Sequence, residues 1–102
     1  MTKVFQKIQP LILLSDFLER VKKVKEFRSS TGRRYQVTGN RNDDLLFQRL
    51  DAKEQEEWKM NLKMVYKAYV ELDNFETVNF KPFVPRKHSP ARGLLLHLKM
   101  LQ

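Results

Sequence analysis

The sequence predicts an α+β fold: a small three-stranded antiparallel meander packed by about three helices, in the order α-β-β-β-α-α. Two observations carry this expectation. Apolar residues recur at helical spacing towards both ends of the chain, while the middle holds short runs that alternate with period two. Strands gathered between helices, without an internal repeat, imply helices laid on one face of an antiparallel sheet. With 102 residues, 41% hydrophobic and 31% charged, residues 1–102 have the length of one compact domain that folds by packing alone. Cysteine is absent, which excludes disulfides, thiolate zinc sites and cysteine nucleophiles.

The first element is a helix over residues 11–27, because Leu14, Phe17, Leu18, Val21 and Val24 form one apolar stripe. Its outer face carries Asp16 with Arg20, Glu19 with Lys23, and Lys22 with Glu26, pairs four residues apart that meet on a helix surface. The Ser, Thr and Gly of "RSSTGRR" then break the helix. Strands at residues 35–38 and 45–49 flank the turn-rich "GNRNDD" and read as a hairpin. After the polar connection "DAKEQE", residues 57–61 form the third strand, in which Trp58 and Met60 alternate with Glu57 and Lys59. Tyr35, Phe47 and Trp58 are then sheet core.

The period becomes helical again at Leu62, Val65, Tyr66, Tyr69 and Leu72, with Asn61 placed to cap that helix. Prolines make "DNFETVNFKPFVPRKH" irregular. Ser89 and Pro90 read as the cap and first residue of a last helix, whose inward stripe is Ala91, Leu94, Leu95, Leu98 and Leu101.

The net charge of +8 is segregated. Residues 1–34 hold nine Lys/Arg against three acids, residues 35–76 six against nine, and residues 77–102 five against none. Such a balance points to a polyanionic partner, a nucleic acid or an acidic protein. The apolar run at residues 11–14 is too short for a signal sequence, and no apolar stretch approaches the roughly 20 residues that span a bilayer. The chain therefore reads as cytoplasmic, with no membrane partner.

Two basic clusters are the candidates for binding phosphates. Arg33 and Arg34 stand at the entrance to the first strand, and Arg86, Lys87 and Arg92 surround the start of the last helix. Cations at a helix N-terminus oppose its dipole, which is offset by an external phosphate, by an internal acid such as Asp73, Glu76 or the acidic middle segment, or by the side chains pointing into water. Lys25 and Arg28, by contrast, suit the expected C-terminus of the first helix. The leading expectation is a non-enzymatic domain that binds the phosphate backbone of nucleic acid. The alternative is an interaction domain that meets an acidic partner or a second copy of itself.

A weaker alternative is a metal-dependent nuclease. Asp43 or Asp44 followed by Glu57, Trp58 and Lys59 offers two carboxylates for Mg²⁺ and a lysine for the phosphate. With the order helix, three strands, helix, this resembles the core of PD-(D/E)xK nucleases. It departs from that pattern in its turn-borne aspartates, in lacking a proline before them, and in the charge flanking the Glu57 strand. His88 and His97 are nine residues apart, and Gly32, Gly39 and Gly93 are isolated. No metal, nucleotide or other cofactor is expected.

Overall fold

The computed structural model describes residues 5–29, 31–50 and 56–102. Helix α1 (Leu14–Lys22) leads into strands β1 (Glu26–Arg28), β2 (Arg34–Arg41), β3 (Asp44–Arg49) and β4 (Glu57–Asn61). Helix α2 (Leu62–Glu71), a 3₁₀ turn (Thr77–Phe80) and helix α3 (His88–His97) complete the order. The strands pair antiparallel in chain order, β1-β2-β3-β4. The fold is α+β, with four strands where the sequence predicts three. Residues 1–4, Ser30 of the expected breaker and residues 51–55 of the expected polar connection lie outside the described residues.

The additional strand comes out of the expected first helix, which stops at Lys22 instead of running to Phe27. Val24 is buried as the helical stripe requires, but in the connection between α1 and β1, and Phe27 is buried on β1, whose residues 26–28 pair with β2. Phe27 stacks on Tyr35 at 5.1 Å and meets Phe47 edge-on at 5.7 Å. Such cross-strand contacts override a local helical period. As a result, Glu26 is not on a helix with Lys22, and Glu19 pairs with Lys22 at 3.0 Å, three residues away.

Burial alternates along the strands, so one sheet face carries Phe27, Tyr35, Leu45, Phe47 and Met60 while the other is polar. Phe47 meets Tyr35 and Trp58 edge-to-face at 5.6 and 5.9 Å. These rings form sheet core, as the alternation predicts. Phe17 and Val21 of α1, Leu62, Val65, Ala68 and Tyr69 of α2, and Ala91, Leu94 and Leu95 of α3 join them in one apolar cluster. Each large side chain so buried contributes roughly 1.5–3 kcal/mol before chain entropy is set against it. No helix among the described residues is long and apolar enough to cross a membrane.

The ends of α2 and α3 fix the remaining geometry. Asn61 Oδ1 accepts from the Met64 amide at 3.0 Å, the cap its position predicts. Helix α3 begins earlier than predicted, at His88 with Lys87 as its flanking residue, so Ser89 and Pro90 lie inside the first turn. Proline is tolerated there because the first turn's N–H groups have no intrahelical acceptor. At its other end, the Met100 amide donates to Leu95 O and the Lys99 amide to Leu96 O, each near 3 Å. This is a Schellman motif with Lys99 in the left-handed position at φ 59°, and buried Leu95 and Met100 supply its apolar contact.

Two contacts close the fold. Gly93 lets α3 lie against the backbone of β1, where a Cβ would stand 2.5 Å from Arg28 O and 2.8 Å from Ser29 Cα. One sheet edge is thereby covered by a helix, which protects it from pairing with other chains. The second contact joins the segment before α1 to the segment after α3: the Gln6 and Gln102 backbones exchange two hydrogen bonds of 2.9 Å, with a bridge between Lys7 and Leu101.

Candidate functional site

Folding disperses the five cations that the sequence singles out. Lys87 lies over the Trp58 ring, with Nζ 4.3 Å from its centroid. Arg92 stacks on Phe5 at 4.8 Å and donates to Phe75 O at 3.3 Å. Burial holds the Arg92 pKa below the usual arginine value, against the opposing influence of the Glu76 carboxylate. Glu76 is one of the internal acids that the sequence offers for this cluster, and Lys87 and Arg92 both have internal roles. Arg86 is exposed, in a left-handed conformation at φ 66°. Arg33 precedes β2, where its amide donates to Ser29 Oγ at 3.1 Å.

Arg34 is placed differently. It stands on β2 directly opposite Arg28 of β1, and both side chains are exposed. The Ser29 amide donates to Arg33 O, and the Val37 amide to Lys25 O, which puts Arg28 and Arg34 at an intervening pair without mutual hydrogen bonds. At such pairs the Cα atoms are only about 4.5 Å apart and side chains approach most closely. Among the described residues neither guanidinium takes part in an ion pair. Like charges directly opposite destabilise a sheet.

The pair borders a cleft of about 410 Å³ between β1 and the last turn of α3, lined by Glu26, Phe27, Arg28, Arg34, Leu96 and His97. Around Glu26 and His97 this cleft continues into an open groove of about 760 Å³, which adds Arg20, Lys23, Lys25 and Lys99. Six Lys/Arg side chains and His97 thus line a continuous depression against one carboxylate, Glu26. The C-termini of α1 and α3 attract part of this charge, and Arg20 Nη1 reaches Leu98 O at 3.5 Å. Arg28 and Arg34 are on strands, where no dipole of their own element favours them. The groove takes only Arg34 from the predicted set. Arg20, Lys23 and Lys25 escape the sequence because helix pairs or a helix end account for them there, Arg28 because its strand reads as helix, and Lys99 because no local signal singles it out.

Arg86 and Lys87 lie at the other end of α3, a helix of ten residues and so about 15 Å long. The nuclease constellation is also spread out. Asp44 faces Asn61 across the β3–β4 ladder, whereas Glu57 is four residues from Asn61 along β4. That offset is about 13 Å along the strand, beyond what one Mg²⁺ with ligands at about 2 Å spans. Glu57 accepts instead from Thr38 Oγ1 at 3.0 Å, and Asp43 pairs with Lys63 at 3.3 Å.

Comparison with protein-family models, with curated proteins and with solved structures yields no match.

Proposed function

We propose that the protein is a non-enzymatic binding module for the phosphate backbone of nucleic acid, which it holds along the groove between β1, the end of α1 and the end of α3. The observation that carries this reading is the Arg28–Arg34 cross-strand pair, two exposed guanidiniums side by side without an ion-pair partner among the described residues. An arrangement that is unfavourable in the free protein becomes favourable once a phosphate lies between the two charges. Arg20, Lys23, Lys25 and Lys99 extend the positive field along the same depression. The binding they provide is set by charge spacing and carries no base readout.

The test is a titration of labelled single-stranded and duplex nucleic acid at several salt concentrations. If five of the six cations each neutralise a phosphate, log affinity for a single strand falls against log salt with a slope of about −3.5. Replacing both Arg28 and Arg34 by Gln flattens this slope and leaves the fold intact. A flat salt response in the unaltered protein, or a slope unchanged by the double substitution, overturns the proposal.

A further inference from the structure

The Arg28–Arg34 pair has a more specific consequence, which rests on the reading that the groove holds phosphates. We propose that the pair is a receptor for a phosphate monoester, so that a nucleic-acid strand is seated by a phosphorylated end. Charge and valence both favour this ligand. A monoester carries about −1.5 to −2 charges at neutral pH, close to the two guanidinium charges, whereas an internal diester carries about one. It also presents three terminal oxygens where a diester has two. Two planar forks that each bind in bidentate fashion share fewer acceptors on three oxygens than on two.

The shape of the depression agrees. Helix α3 and β1 are in contact at Gly93, against Arg28 O and Ser29 Cα. One turn further along the helix, at Leu96 and His97, a cleft of about 410 Å³ stands between them. The cleft therefore begins beside Arg28 and continues towards Lys25 and Lys23 in the adjoining groove. A strand laid along the groove has the arginine pair at one end of its path. Glu26 lies on the same strand face as Arg28, two residues away, and its carboxylate disfavours an anion at the mouth. The pair itself is left as the favourable position for the most highly charged group.

The experiment measures binding of the full chain to single strands of one sequence and length that carry a 5′-phosphate, a 3′-phosphate or hydroxyl ends, with a nucleoside monophosphate and inorganic phosphate as separate probes. The expected result is an affinity about tenfold higher for one phosphorylated end than for hydroxyl ends at fixed salt, the scale of one added charge-assisted contact. Substituting Arg28→Gln and Arg34→Gln together removes that difference, while the salt-dependent binding supplied by Lys23 and Lys25 persists. Equal affinity for all three strands overturns the monoester receptor and leaves the groove reading standing. Absence of salt-dependent binding to any strand overturns both. Nucleoside monophosphate binding as tightly as the phosphorylated strand, with loss on the double substitution, upholds the receptor and identifies its source as a small phosphorylated molecule. A thermal midpoint that is not lowered in the double variant shows that lost binding is not lost folding.

Discussion

At the scale of single residues, two positions near the groove pull stability in opposite directions. Gly93 is required by space: a Cβ there would meet the backbone of β1 at 2.5 and 2.8 Å, and neither Arg28 O nor Ser29 Cα belongs to a side chain that can rotate away. Gly93→Ala should therefore lift α3 from β1 and lower stability by about 3 kcal/mol, the upper part of the range for overpacking. A shift of the urea midpoint at unchanged m-value measures it, and a loss below about 1 kcal/mol would show that helix and strand are less tightly apposed. Lys99 is the converse case, a lysine at φ 59° in a position that favours glycine. Lys99→Gly should gain about 0.5–1 kcal/mol, visible as a higher thermal midpoint, while it weakens nucleic-acid binding several-fold by removing one groove cation. If stability rises and affinity is unaffected, Lys99 has no place in the site.

At the scale of elements, the same opposition appears in the hairpin of β1 and β2. Arg28 and Arg34 repel across a closely spaced pair, so Arg34→Thr, which also brings a β-branched residue to a strand, should stabilise the sheet by a few tenths of a kcal/mol. Made after Arg28→Thr, it should gain less, since the repulsion is already gone, and a double-mutant cycle with no coupling would deny that the two charges interact. This hairpin also marks the limit of what periodicity discloses. Strand β4, the Asn61 cap, Leu62, Val65 and Tyr69 of α2, and Ala91, Leu94 and Leu95 of α3 are legible because each is written within one element, as alternation, a capping residue or a 3.6-residue stripe, whereas the expected stripe of the last helix overruns its end at His97 to Leu98 and Leu101. Strand β1 is not, because Val21, Val24 and Phe27 are three apart and suit a helix equally well. Only the rings of Tyr35 and Phe47 decide the matter. The site suffers from the same ambiguity. Arg28 on a helix end is explained by the dipole, whereas Arg28 on a strand opposite Arg34 is an unexplained charge.

At the scale of the whole molecule, charge density along the chain and charge density on the surface are different quantities. The last 26 residues hold five Lys/Arg and no acid, yet folding turns Lys87 onto Trp58 and Arg92 onto Phe5 and directs only Lys99 into the groove. Arg20 and Lys99, far apart in sequence, line the same depression. Binding that follows net charge alone depends on how many cations are removed, whereas groove binding depends on which. Two paired substitutions separate these cases, since Arg86→Gln with Lys87→Gln and Lys23→Gln with Lys25→Gln each lower the net charge of +8 by the same two units. The Lys23 and Lys25 pair should reduce affinity for a single strand at least about tenfold and the steepness of its salt dependence by about 1.4, the share of two phosphates. The Arg86 and Lys87 pair should leave affinity within about twofold, because its charges lie at the far end of α3 and one of them is engaged with Trp58. Equal losses from the two pairs would return the molecule to a diffuse basic surface, and a larger loss from the second would move the site to the start of α3.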